Sequence, residues 1–313
     1  MVVVYAKRTL TGNAEGESMP KFSRKFLPRV RNWLASPLVE AISNLQRSQH
    51  GFQQSQHDFL LRAEWARLAS AAKNPLNGFG AKYFSQADED GITLEIIRRL
   101  GIKDGTFAEL GVGTGLENNT LILLAKGWRG FWVGGQDLDF NHRLNPKRFA
   151  FFKAWVSLEN ITRLMQQGFQ NTGSNELDVL SLDLDGNDYY FAQELLKTGV
   201  LPKIFILEYN AKFPPPIKWI IKYDANHSWD GTDYFGASLT SFSELLNDFS
   251  YTLVCCNAAT GANAFFIKNE YLSHFADVPN NIEDIFVECR YQIYKRWGHP
   301  PLPKTIERIL EAH

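Results

Sequence analysis

Cysteine is scarce in this chain: there are three among 313 residues, and two of them, Cys255 and Cys256, are adjacent. That excludes a disulfide framework and offers no CxxC half-site for zinc, so the sequence suits a reducing compartment and a cytoplasmic location. Long apolar runs are also missing. No stretch approaches the length that spans a bilayer, and the opening MVVVYAKR has too few apolar residues, placed before its charges, for a secretory signal. Excess charge of either sign is absent as well. A formal net charge of -1 gives no global attraction to a polyanion, so no nucleic-acid partner is expected. Internal repeats and low-complexity tracts are lacking too. What remains is an ordinary apolar fraction of 44%, enough for one large core with a helical appendage.

Residues 1–80 read as a helical N-terminal extension, 81–275 as the main domain and 276–313 as a helical tail. Lys21, Arg24, Lys25, Arg29 and Arg31 alternate with Phe22, Phe26 and Trp33. Two readings of that segment stand side by side: a helix lying on an anionic membrane surface, or a solvated basic face whose aromatics pack on the main domain. The N-terminal helices also offer a route to a homo-oligomer. The stretch NPLNGFG marks the boundary.

Beyond it, short apolar runs (TFAELGV, GFWVGGQD, FAFFKAWV, DVLSLDL, KIFILEYN) alternate with segments such as YYFAQELLKTG that are long enough for crossover helices. This rhythm predicts a doubly wound α/β core with a parallel sheet covered on both faces. The last two runs, YTLVCCN and ANAFFIK, are separated only by AATG, too short for a parallel crossover, so an antiparallel hairpin closes the sheet.

The first strand runs into FAELGVGTGLENNT. Glycines at 111, 113 and 115 let backbone approach a ligand between strand and helix. Nicotinamide enzymes use the related GxGxxG spacing, so the glycines alone leave a dinucleotide open. Glu109 just before them would repel a pyrophosphate and suits an ammonium, and the terminal hairpin fits the seven-stranded sheet of class I methyltransferases. Both observations favour S-adenosylmethionine.

With YFSQADEDG before the first strand, GWRGFWVGG at the second, VSLENI after the third, LSLDLDGNDYY at the fourth, ILEYNA at the fifth, then GASL and NAFFI, the chain resembles the FkbM-like family of S-adenosylmethionine-dependent methyltransferases over roughly residues 83 to 270. The resemblance implies a Rossmann-like class I fold with the donor at the carboxyl edge of the sheet. Glu109, Gly111, Gly113 and Gly115 would hold its amino-acid moiety, approached by Gln86 and Asp90, with Asp183 beside it. Where such enzymes place an acid for the ribose hydroxyls this chain reads GGQD, leaving Asp137 or Gln136 to stand in. Ser157 and Asn160 would lie by the adenine, or serve only as turn residues.

Asp183 and Asp185 are two apart, as are Glu208 and Asn210, so in extended chain each pair projects to one side. If their strands are neighbours, the four make a hard-cation site, and Mg2+ there would lower the pKa of an acceptor hydroxyl. The alternative is a plain turn, since DGND lets Asp185 and Asp188 cap backbone N–H groups. The long insertion KFPPPIKWIIKYDANHSWDGTDYFGASL supplies His227 as candidate general base, with Asp230, Asp233 and Tyr234 to orient it or bind the acceptor, and Trp219 and Trp229 to stack on it. These residues, with Asp185 at the reacting oxygen, predict O-methylation of a sugar, glycan or related natural product. A nicotinamide-dependent oxidoreductase and a catalytically inactive scaffold remain the alternatives.

Overall fold

The computed structural model of the protein describes residues 26–290 and 303–311. The chain divides into two units, Met1–Gln56 and His57–His313. Helix α1 runs Phe26–Ala71. Its residues up to Gln56 belong to the first unit and carry Val39, Leu45 and Phe52 exposed. The basic segment 21–25 and the tail residues 291–302 lie outside the described residues, so the membrane-surface reading falls largely outside them too. Among the described residues no helix is long and apolar enough to cross a membrane.

The second unit is built on seven strands: β1 (Thr106–Leu110), β2 (Arg129–Gly134), β3 (Phe149–Lys153), β4 (Val179–Leu182), β5 (Ile204–Glu208), β6 (Tyr251–Cys256) and β7 (Asn263–Lys268). Each run predicted as a strand is one. Their order in the sheet is β3-β2-β1-β4-β5-β7-β6. The pairs β1–β2, β2–β3, β1–β4 and β4–β5 are parallel, while β7 runs antiparallel to both β5 and β6. This is a Rossmann-like α/β sheet, closed by the hairpin that the short AATG connection requires.

Strands buried on both faces explain the near-continuous apolar runs, and β1 and β4 are buried along their whole length. Helix α2 (Glu89–Leu100) precedes β1, and α3 (Leu121–Ala125), α4 (Ile161–Thr172), α5 (Asp188–Lys197) and α6 (Leu239–Asp248) lie between strands. Short helices α7 (Ile282–Ile285) and α8 (Pro303–Glu311) follow. NNTLILLAKGW yields only the five-residue α3, because the turn before it takes up Asn118, Asn119 and Thr120. NPLNGFG is docked on the edge strand β6: Asn74 Nδ2 donates to Val254 O (2.7 Å) and Asn77 Nδ2 to Cys256 O (2.7 Å). Those bonds satisfy carbonyls that an edge would otherwise expose.

Candidate functional site

In an open α/β sheet the carboxyl ends of the strands face a crevice where the order reverses, here between β1 and β4. The chain leaving β1 turns at Gly111, whose φ is +101°, and a Cβ there would lie 1.6 Å from the Asp183 carbonyl oxygen leaving β4. Only glycine lets the two strand exits come so close. A Cβ on Gly113, by contrast, would meet no protein atom within 4 Å, because that backbone faces open space. Gly115, at φ +81°, backs onto Leu138, Phe140 and Trp132 and also lines the polar cleft described below.

Three clefts meet at this crevice. The first, about 240 Å³, lies between Gly111, Gly113, Gln136, Trp155, Val156, Phe191 and the loop residues His227 to Trp229. A more polar one, about 270 Å³, is bounded by the glycine turn with Gln86, Glu109, Asn118, Asn119 and Asn263. The third, about 310 Å³, is lined by Gln86, Glu208, Trp229, Phe235, Thr260 and Ala262. Asp183 and Asp185 line all three.

The acidic pair therefore sits at a junction. β4 and β5 are paired in register, so Asp183 and Asp185 after one and Glu208 at the end of the other bring ligand oxygens within 4.8 Å of one another. Burial pushes the Asp183 carboxyl well above its ordinary range, helped by repulsion from Asp185, Asp188 and Glu109. Glu208 is raised for the same reasons, burial first and then Asp183. Asp185 is raised by burial, with His227 opposing. It also adopts φ +56°, a left-handed conformation that is costly for a residue with a Cβ. Such a cluster is stabilised by a cation. The turn alternative holds for its neighbour: Asp188 accepts from Leu184 N (2.8 Å) and Gly186 N (3.0 Å) and fixes the DGND turn, while Asp185 is left facing the clefts.

Several expected contacts are corrected. Asn210 does not join the acids. β5 ends at Glu208, the chain bends, and the Asn210 amide donates to Asp233 O (2.8 Å) and Phe235 O (2.9 Å), pinning the insertion. Asp90 is fully buried and holds the preceding loop, accepting from the backbone N of Tyr83, Phe84 and Ser85 at 2.6–2.9 Å. It lines none of the three clefts, whereas Gln86, the residue this loop presents, lines two of them. Glu109 reaches the polar cleft, but its oxygens accept from Asn118 Nδ2 (3.3 Å), Asn119 N (3.0 Å), Thr120 N (2.9 Å) and Thr120 Oγ1 (2.6 Å). These four donors make Glu109 the buckle of the turn, and it also lines the polar cleft.

Asp137 turns out to solvent and pairs with Lys153 (2.6 Å), which leaves Gln136 as the residue facing the cleft after β2. Ser157 and Asn160 close their own turn, with Asn160 Oδ1 accepting from Ser157 N (2.9 Å) and Asn160 Nδ2 donating to Trp155 O (2.8 Å). The cleft wall there is Trp155 and Val156. Asp230 folds its own turn, accepting from Thr232 N (3.0 Å) and Thr232 Oγ1 (2.6 Å), with the charge of His227 near enough to help hold its carboxyl low. Trp219 stacks on Phe213 (4.4 Å between ring centres), so of the two tryptophans only Trp229 reaches the clefts. His227 lines the first cleft, its Nε2 3.2 Å from the Asp185 carbonyl oxygen.

Residues that the sequence reading missed include Trp155, Asn118, Asn119 and Phe235. Asn118 and Asn119 stand in the glycine block itself, and Trp155 follows an apolar strand at its carboxyl end, which is the signal that would have found it. Behind the polar cleft Asn119 Nδ2 donates to Asn263 Oδ1 (3.5 Å), and Asn263 and Asn257 both donate to Glu89 Oε1 (3.2 and 3.0 Å). This buried network ties the glycine turn to the hairpin and α2.

No family model matches the chain, and no curated protein does. Solved structures do align with it. The 1,6-didemethyltoxoflavin-N1-methyltransferase of Burkholderia thailandensis, with 1,6-didemethyltoxoflavin and S-adenosylhomocysteine bound, is 16% identical at a TM-score of 0.33, over 73% of this chain and 88% of its own. An S-adenosylmethionine-dependent methyltransferase from Clostridium acetobutylicum is 12% identical at 0.29, over 57% and 90%. A glycopeptide N-methyltransferase is 13% identical at 0.30, over 60% and 93%. At this level of similarity none of them bears on the chemistry of the chain.

Proposed function

We propose that the protein is an S-adenosylmethionine-dependent methyltransferase that methylates a hydroxyl of a small polyhydroxylated acceptor, a sugar or a related natural product. One observation carries the reading: three clefts converge on Asp183 and Asp185 at the switch point of a class I sheet. Two of them form a bent donor site. The nucleoside end lies between Gln136, Trp155 and Val156, with Gln136 replacing the acid that such sites place at the ribose. The amino-acid end lies over the glycine turn, among Gln86, Asn118 and Asn119. The third, with Trp229 and Phe235 opposite the carboxylates, takes the acceptor, apolar ring faces on one side and hydroxyls on the other. The FkbM-like sequence blocks support the same class.

The acidic trio suits a divalent cation: three oxygen donors lie within 4.8 Å, and Glu208 Oε2 is buried without a hydrogen-bond partner. Asp183, Asp185 and Glu208 would hold Mg2+, which supplies Lewis acidity toward an acceptor oxygen. The protein's own part is positioning. Trp229 and Phe235 orient the acceptor and the insertion carrying them excludes water, while His227, which lines the first cleft and not the third, stands on the donor side of Asp185.

The test is methyl transfer from radiolabelled donor to panels of sugar, polyol and amine acceptors, with Mg2+ or EDTA. Turnover on a hydroxyl acceptor that EDTA abolishes is expected, with Asp185→Ala and Glu208→Ala each reducing it at least about 100-fold while donor binding changes little. Transfer to amines alone, unaffected by EDTA, would refute both the acceptor class and the metal.

A further inference from the structure

Helix α1 carries an apolar seam that the methyltransferase reading leaves unused. Ile42, Leu45, Gln49, Phe52 and Gln56 follow one another in alternating steps of three and four. In this first unit Ile42, Leu45 and Phe52 are 46%, 70% and 63% exposed. Large apolar side chains repeated in this way along a single helix mark an interaction surface.

We propose that this seam pairs with the same seam of a second copy of the chain, as a parallel two-stranded coiled coil. The step pattern averages 3.5 residues, the repeat that keeps a seam facing a second helix supercoiled around it. Charge selects a second copy. Between Ala41 and Gln56 the one formally charged residue is Arg47, which is off the seam and is folded back onto its own helix, donating to Asn44 Oδ1 (2.9 Å) and Ser43 O (3.4 Å). A neutral seam repels neither copy and gives an acidic or basic partner nothing to pair with. Gln49 and Gln56 complete the self-complementarity. An amide both donates and accepts, so in parallel register each meets its own counterpart across the seam. In a lipid surface both amides would be pushed toward hydrocarbon without partners. Polar residues at such positions fix register and copy number at some loss of stability, so the association is expected to be micromolar.

The test is sedimentation velocity with the full chain from 1 to 100 µM. The account expects a concentration-dependent rise toward twice the 35.7 kDa chain mass. Leu45→Glu with Phe52→Glu should hold the protein at the monomer mass with the thermal midpoint unchanged, since both side chains are exposed, while Arg47→Glu should still dimerise. In a Cys289→Ser background, Gln49→Cys and Gln56→Cys should each cross-link to its own copy on oxidation. A wild-type chain that stays monomeric throughout, or a dimer indifferent to the double substitution, overturns the proposal. So does a monomer whose seam instead drives co-sedimentation with phosphatidylcholine vesicles, and cross-linking at neither position overturns the parallel register.

Discussion

Gly111 and Gly113 stand two residues apart in one turn and should respond in opposite ways to the same added methyl group. At Gly111 an alanine must hold φ near +101° and place its Cβ 1.6 Å from the Asp183 carbonyl oxygen. The left-handed backbone costs roughly 1–2 kcal/mol and relief of the overlap about 1–3 kcal/mol more, so Gly111→Ala should lose about 2–5 kcal/mol of stability. At Gly113 the new methyl meets no protein atom within 4 Å and φ is not positive, so Gly113→Ala should change stability by less than about 1 kcal/mol. It projects instead into space bordering both donor clefts. If the donor lies there, overpacking of about 1–3 kcal/mol weakens its binding roughly 5- to 150-fold. Urea denaturation measures the first effect and calorimetric titration with S-adenosylhomocysteine the second. A Gly113→Ala protein that binds as tightly as wild type would remove the donor from this turn, and a Gly111→Ala protein with an unchanged urea midpoint would refute the close approach of β1 and β4.

Two further substitutions probe the buried acids. Glu109→Gln retains an acceptor but leaves at least one of the Asn119, Thr120 and Asn118 donors without a partner, so it should lower stability by about 1–3 kcal/mol, seen as a lower urea midpoint; an unchanged midpoint would contradict its role as buckle of the turn. Asp88, which accepts from Ala258 N (3.0 Å) and Asn257 Nδ2 (3.0 Å), is pushed up to about 7 by burial and by Glu89. A raised acid keeps its proton in the folded chain while the unfolded chain releases it. Its contribution to stability is therefore present at about pH 4 and is lost as pH rises toward 7. Asp88→Asn should flatten that part of the stability profile relative to wild type, and parallel profiles would show that Asp88 ionises normally.

The sheet was legible because its strands are apolar runs of strand length, and AATG cannot carry a crossover, which forced the reversed last strand. The cluster of Asp183, Asp185 and Glu208 was legible for a related reason: period-two spacing puts residues at strand ends on one side, and neighbouring parallel strands bring those ends together. The same rule failed for Asn210, since extended geometry stops at Glu208 and the amide is drawn to the carbonyls of residues 233 and 235. Asp137 failed similarly, one residue past the point where the chain after β2 turns outward to Lys153. Glu109 was found but its partners were not: two of its four donors are backbone N–H groups, invisible in a list of side chains, and the other two, Asn118 Nδ2 and Thr120 Oγ1, come from the turn nine and eleven residues on. Asp90 and Asp230 likewise serve local backbone, as acids beside turns often do.

The central claim is that the crevice over β1 and β4 takes a sulfonium nucleoside, and calorimetric titration of the purified protein tests it most directly. The account predicts micromolar binding of S-adenosylmethionine and S-adenosylhomocysteine with none of NAD; binding of NAD alone, or of none of the three, would contradict it.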